Sequence, residues 1–354
     1  MIQKKTFSEW IEQVSSAYSK TVSSCRDFVS RHRILTGIVV AAVLLLLPVV
    51  FTTNYTRGIF VKICLYVILS SSLNVINGYS GQMNIGHAGL VCIGAYTAGL
   101  LCTNFDLSFW LILPISGIMS AIVGFLISRP VMKLDGVYLA IVTMGCSEII
   151  RLIVLNWISF TGGPMGIRGI PRPTVFSYEI RTPLEYYYLA LFLAALTVFA
   201  IYRVVHSRVG RTWISIREDH IASQFLGVKV SYYRSLNFVF GAFFAGIGGC
   251  FLTYYYQYIS SDMFITDESF NIMSMVIIGG QGTLLGPIVG SIIVNVITEA
   301  FRFVAEYRFI VYALLIIGMM WLRPQGLVGA SNSVFAVKRV RSRKKIARKE
   351  ATTP

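Results

Sequence analysis

Glu148 and Arg151 stand three residues apart inside the apolar run from Gly136 to Asn156, a spacing that lets an acid and a base share one helix face. Charge inside hydrocarbon is costly, so such a pair faces protein or a water-filled cavity. Glu148 could then carry a proton or sit at a subunit contact. The plainer reading, favoured by the pairing, is a structural ion pair near one end of its helix. The four histidines, His32, His87, His206 and His220, are scattered along the chain. No HExxH, GxSxG or paired-carboxylate site appears, so the chain is not expected to be an enzyme. No GxxxxGK[ST] loop is present, so any nucleotide must be bound elsewhere. Cys64, Cys92, Cys102, Cys146 and Cys250 fall in apolar runs, with Cys25 near the N-terminus. Their spacing predicts neither a metal site nor a disulfide framework.

The elements that hold these residues are set by composition. The 354 residues are 55% hydrophobic and only 13% charged, against about 25% charged in an ordinary soluble chain. The expected fold is all-α, a polytopic membrane protein with about ten crossings, each needing roughly 20 apolar residues. The runs are Ile34 to Phe51, Gly58 to Asn77, Ile85 to Cys102, Phe109 to Ser128 and Gly136 to Asn156. After a Gly/Pro-rich outer loop from Trp157 to Pro183 come Leu184 to Val205, Ser235 to Tyr258, Phe270 to Ile278, Leu284 to Ala300 and Phe309 to Leu322. Phe270 to Ile278 is short and is the weakest of them. Lys62 is expected to snorkel towards the outer surface.

The net charge of +15 is not that of a nucleic-acid-binding domain, because the basic residues flank apolar runs. They cluster before the first run (Lys4, Lys5, Lys20, Arg26, Arg31, Arg33), around 206–233 (Arg208, Arg211, Arg217, Lys229, Arg234) and in the tail at 330–354. The positive-inside bias therefore puts both termini and the 206–233 loop in the cytoplasm. Charge continuing to Arg33 argues against a signal peptide. Phe7, Trp10, Ile11, Val14, Tyr18 and Val22 give segment 1–33 a helical stripe, which fits an amphipathic helix on the membrane lipid; a disordered tail is the other reading. The membrane-embedded body is then 34–329.

Two Gly-rich interruptions carry the most mechanistic content: 77–89, with Gly78, Gly81, Gln82, Asn84, Gly86, His87 and Gly89, and 279–287, with Gly280, Gln281 and Gly282. Paired breaks in the two halves of a membrane chain point to a translocation path. Close helix packing through small residues explains them equally well. His87, beside glycines, is either a path-lining donor or a satisfied packing residue. Between two crossings, Ser215 and Glu218 have capping-box spacing, and Gly227 suits a left-handed helix end. The helix between them would stack Ile221 on Phe225 and Ala222 on Leu226, with Arg217 in its first turn. Such a helix can dock a soluble partner; an ordinary loop helix is the alternative. Thr161, Gly162 and Gly163 either shape an outer vestibule or form a turn needing positive φ.

Together these residues resemble the LivM-type permeases of branched-chain amino acid ABC importers, from about Phe60 to Gly329. The likeness rests on Gly78-Tyr79-Ser80-Gly81 with Gly86-His87-Ala88-Gly89 and Gly94-Ala95-Tyr96, then on Leu134-Asp135-Gly136-Val137-Tyr138. Glu148-Ile149-Ile150-Arg151, Asn156-Trp157 and Thr161-Gly162-Gly163 follow, and Gly210-Arg211 leads to Gly227-Val228. Gly279-Gly280-Gln281-Gly282-Thr283, Gly286-Pro287 and Arg323-Pro324-Gln325-Gly326-Leu327 complete the set. The resemblance implies a multi-pass protein of the bacterial inner membrane with no cofactor of its own. Its partners would be a second homologous permease (LivH-like), two cytoplasmic ATP-binding subunits (LivG/LivF-like) and an extracytoplasmic amino-acid-binding protein. Ser215, Arg217, Glu218, Ile221, Ala222, Ser223, Phe225 and Gly227 would form the helix that couples to the ATPase. Importers of this kind often carry Glu-Ala-Ala-x-x-x-Gly there; this chain keeps Ala222-Ser223 and Gly227 but has Ile221 in place of the acid. Relatives in the superfamily carry urea, amides or other amino acids, and an ion-coupled secondary transporter is the more distant alternative.

Overall fold

The computed structural model describes residues 44–300, apart from 52, 106, 133, 176 and 177, together with 317–318 and 326–328. The chain divides into two compact units, Met1–Arg57 and Gly58–Pro354. In the first, residues 44–50 are helical and the Arg57 guanidinium donates to the Pro48 carbonyl at 3.1 Å. The stripe expected in 1–33, most of the run Ile34 to Phe51, the run Phe309 to Leu322 and the tail 330–354 lie outside the described residues.

In chain order the helices are α1 (Asn54–Asn74, prolonged by a π-helical turn Val75–Tyr79), α2 (His87–Phe105), α3 (Phe109–Val131), α4 (Gly136–Asn156) and α5 (Pro183–Val205). They continue with α6 (Arg208–Glu218), α7 (His220–Phe225), α8 (Val230–Tyr256), α9 (Thr266–Gly279) and α10 (Gly286–Ala300). Among the described residues six are long and apolar enough to cross a membrane: α1 to α5 and α8. Of the other expected crossings, α9 has only 14 residues, which leaves it short of a full hydrocarbon slab, and α10 is described up to Ala300.

Small residues decide which helix lies at the centre. Gly241, Ala242, Ala245, Gly246 and Gly249 give α8 a smooth face that seats against α2 and α3. A Cβ on Gly94 of α2 would strike the α8 backbone at Gly246. Polar cross-links lock the contact: Thr253 Oγ1 donates to the Ala95 carbonyl at 3.0 Å, and Ser120 Oγ to the Leu90 carbonyl at 2.8 Å. Consequently 78% of the apolar window of α8 is buried, against 33% in α4 and α5. Leu126, Ile141 and Phe199 point outwards and are exposed, as lipid- or subunit-facing residues should be.

Several helix ends differ from the sequence reading for identifiable reasons. The helix α8 starts at Val230, not Ser235, so the connecting loop is shorter than 206–233. Arg234 is tolerated inside the helix because its guanidinium pairs with Asp135 at 2.7 Å. The helix α9 starts at Thr266 because Asp267 and Glu268 favour a helix N-terminus. The outer loop is not purely irregular. It holds a one-turn helix Ile158–Thr161 and the two-residue strands β1 (Ile167–Arg168), β2 (Thr174–Val175) and β3 (Tyr178–Glu179), with β4 (Tyr258–Ile259) after α8. Antiparallel pairing of β1 with β4 and of β2 with β3 is a small departure from an all-α fold.

Candidate functional site

The two glycine breaks, some two hundred residues apart in sequence, meet at one end of the bundle. A Cβ on Gly78 would collide with the Gly282 amide nitrogen and with Asn74 Oδ1. Asn74 clamps the junction: its Oδ1 accepts from the Gly282 N–H at 2.9 Å, and its Nδ2 donates to the Thr283 carbonyl at 2.9 Å. Gly280 and Gly282 have φ of 116° and 75°, values that L side chains rarely adopt. Within the first break Asn84 N–H donates to Asn77 Oδ1 at 3.1 Å, and Asn84 Oδ1 accepts from the Gly86 N–H at 2.9 Å. Buried Gln82 donates to Ser80 Oγ at 2.8 Å and to the Arg234 carbonyl at 3.2 Å; Gln281 is half-buried. Gly86 and Gly89 press onto α4 at Thr143 and Ser147, which is a packing role in this arrangement. His87 is fully buried, and its Nε2 pairs with Ser72 Oγ at 2.8 Å. Ser72 already donates to the Leu69 carbonyl at 2.7 Å, so the imidazole is left to donate.

The helices α6 and α7 sit at the same end as the breaks. Here the structure corrects the expected capping box. Ser215 and Glu218 lie in the last turn of α6, whose N-cap is Ser207. A second helix then starts at Asp219, whose carboxylate accepts from the N–H groups of Ile221 and Ala222 at 2.9 and 3.0 Å. Asp219 stands at the N-cap itself, where its side chain reaches the free N–H groups of the first turn, while Ser215 is still inside the preceding helix. Ser215 instead bonds Ser223 Oγ at 2.9 Å, fastening α6 to α7. At the other end, Gly227 has φ 81°, its N–H donates to Gln224 O at 2.9 Å, and Val228 N–H donates to Ser223 O at 3.1 Å. These bonds form a Schellman ending. Ile221, Phe225 and Leu226 are 55%, 87% and 81% exposed, and Ala222 is exposed beside them. The stem beneath is firm: Trp213 of α6 is buried and donates from Nε1 to the Tyr233 carbonyl at 2.9 Å. Arg217 reaches from α6 into the breaks and donates to the Gly78 carbonyl.

The other singled-out residues lie away from this junction. Arg151 Nε donates to both carboxylate oxygens of Glu148, at 2.9 and 3.0 Å, in the C-terminal half of α4. Thr161 is buried and donates to the Val154 carbonyl at 2.6 Å, while Gly162 and Gly163 take φ of 76° and 56° in a turn. Sequence reasoning missed Asn74, although an Asn inside an apolar run was a visible signal. It also missed a cavity of about 250 Å³ in the half of the bundle away from the breaks. Lys62, Asp262, Asp267, Glu268, Asn271 and Asn295 are in its polar wall, and Leu65 and Leu252 in its apolar wall. Lys62 lies over the Tyr66 ring at 6.0 Å from its centroid.

Six helices among the described residues that are long and apolar enough to cross a membrane, with outward-facing aliphatic side chains, define a multi-pass membrane protein. Residues 55–321 match the family described as branched-chain amino acid transport system / permease component, and the chain belongs to that family. The high-affinity branched-chain amino acid transport system permease protein LivM of Escherichia coli (strain K12) is 37% identical over 311 residues, covering 80% of this chain and 73% of the relative. The same-named protein of Salmonella typhimurium (strain LT2) is 36% identical over the same shares. A probable branched-chain amino acid transport permease protein LivM of Methanocaldococcus jannaschii is 25% identical, covering 75% and 90%. No solved structure matches the chain. The family is one of transport permeases, not an enzyme class, and its members work as parts of an ABC transporter system.

Proposed function

We propose that this chain is a membrane permease subunit of an ABC importer that brings leucine, isoleucine and valine into the bacterial cytoplasm. ATP hydrolysis in partner subunits drives it. The observation that carries the reading is the exposed apolar face of α7, held by caps at both ends on the basic side of the protein. A helix this short is marginal by itself, so strong capping of a bare Ile221–Phe225–Leu226 face fits a docking element. Its occupant is a cytoplasmic ATP-binding subunit, two of which serve the assembly. A second homologous permease would complete the conduit, and an extracytoplasmic binding protein would deliver the cargo. With the basic segments inside, both termini lie in the cytoplasm, and the short α9–α10 hairpin belongs to a bundle of about ten segments in the inner membrane.

The cavity supports an amino acid as cargo. Lys62, three carboxylates (Asp262, Asp267 and Glu268) and two amides (Asn271 and Asn295) beside Leu65 and Leu252 suit a solute with a cationic amine and an aliphatic tail. Urea or an amide has no charge for these groups to meet. Glu148 does not favour the ion-coupled alternative, because Arg151 engages both its oxygens. The test is uptake of labelled leucine into proteoliposomes holding the whole complex, with and without the ATP-binding subunits, and with isoleucine, valine and urea as competitors. The proposal expects uptake only with those subunits and ATP, and competition by the two amino acids alone. Uptake abolished by an ionophore but indifferent to ATP would overturn it.

A further inference from the structure

Three features converge on Arg217, and coupling of α7 to an ATP-hydrolysing subunit gives none of them a reason by itself. Its guanidinium donates to the Gly78 carbonyl, at the end of the π-helical turn that closes α1. Its stem lies on Gly81, where a Cβ would stand 3.1 Å from Arg217 Cγ. Its Nη1 also fills the space that a side chain on Gly282 would need. One residue of α6 thus touches both glycine breaks, and Asn74 joins the breaks to each other at 2.9 Å. The site is chemically apt. A helix C-terminus presents unsatisfied carbonyls and a partial negative charge, which a cation at close range satisfies. Wide π turns are metastable backbone, and they recur at functional sites.

We propose that Arg217 is the positioning residue through which movement of α7 reaches both breaks. The proposal rests on the ABC-importer reading above. The route is contiguous: the α7 face, the Ser223–Ser215 hydroxyl pair at 2.9 Å, the last turn of α6, then Arg217 and the two breaks. Lysine keeps the charge but has neither the planar fork nor the width to touch two loops at once. Glutamine keeps a donor and loses the charge.

The test uses the complete complex in proteoliposomes and reads leucine taken up per ATP hydrolysed, for the native chain, Arg217→Gln and Arg217→Lys. Loss of folding or assembly lowers uptake and hydrolysis together and leaves that ratio alone. The expected result is a ratio lowered at least about fivefold in Arg217→Gln, near 1 kcal/mol of lost coupling at 1.4 kcal/mol per decade, with Arg217→Lys in between. An unchanged ratio in Arg217→Gln overturns the proposal. A spin-label pair at the exposed positions Met83 and Leu285 gives a second reading. Its distance should change between nucleotide-free and ATP-trapped states in the native complex and stay fixed in Arg217→Gln. A change of equal size in both overturns the role of Arg217 and leaves the importer reading intact. Native complex that shows no ATP-driven uptake at all overturns the importer reading, and this proposal with it.

Discussion

Asp219 is the residue that makes α7 a separate helix. Its carboxylate holds two N–H groups that would otherwise face water, and a side-chain cap of this kind is worth about 1 kcal/mol. Asp219→Ala should therefore speed amide exchange across 220–226 about fivefold while the exchange of α8 is unaltered. Equal exchange in the two proteins would show that α7 is held by something other than its cap. Glu148 is a residue of the opposite kind, satisfied by its neighbour and facing no reaction partner. Glu148→Gln keeps one oxygen for Arg151, so ATP-driven uptake should persist within about twofold and keep its pH profile. Complete loss of uptake, with Arg151 intact, would instead mark Glu148 as a proton carrier. Residue identities in the junction were largely legible: Gly78, Gly81, Gly282 and Arg217 all stood out in the sequence. Their meeting did not, because contact between positions so far apart in the chain depends on how α1, α6 and α9 pack. Asn74 was overlooked for the same reason; its value lies in the two backbone groups it joins.

At the scale of elements, most helices could be read from apolar runs, and α4 was read to both ends at Gly136 and Asn156. The misplaced starts of α8 and α9 share one cause, which is that a charge was taken to end a helix. Arg234 sits inside α8 because Asp135 neutralises it, and Asp267 and Glu268 open α9 because a helix N-terminus welcomes anions. Capping patterns alone also misled. Ser215 and Glu218 have the spacing of a box but end a helix, whereas Thr182 and Glu185 make a true box at the start of α5 with Pro183 in the first turn. The proline distinguishes the two, since it belongs at the first helical position. The far end of α7 offers a sharper test. Gly227 has φ 81°, and proline is locked near −65°. Gly227→Pro should break both Schellman bonds, reduce co-purification of the ATP-binding subunit severalfold and leave membrane insertion unchanged. Full retention of that subunit would mean that the α7 ending does not shape the docking face.

At the scale of the molecule, a smooth central α8 packed on α2 and α3 gives a rigid frame. The irregular backbone of the π turn and the two breaks lies at the same end as the capped α6–α7 pair. Under the proposal above, the engine lies outside this chain and the exposed face of α7 is where it docks. The sequence marked the 206–233 segment and the two interruptions, and the packing joins them through Arg217 and Asn74. The measurement that meets this claim most directly is photo-crosslinking from position 225, with Phe225 replaced by benzoylphenylalanine in the assembled complex in cell membranes. The account predicts a covalent product with the ATP-binding subunit. A complex whose crosslinks run only to the extracytoplasmic binding protein, or to lipid, would contradict it.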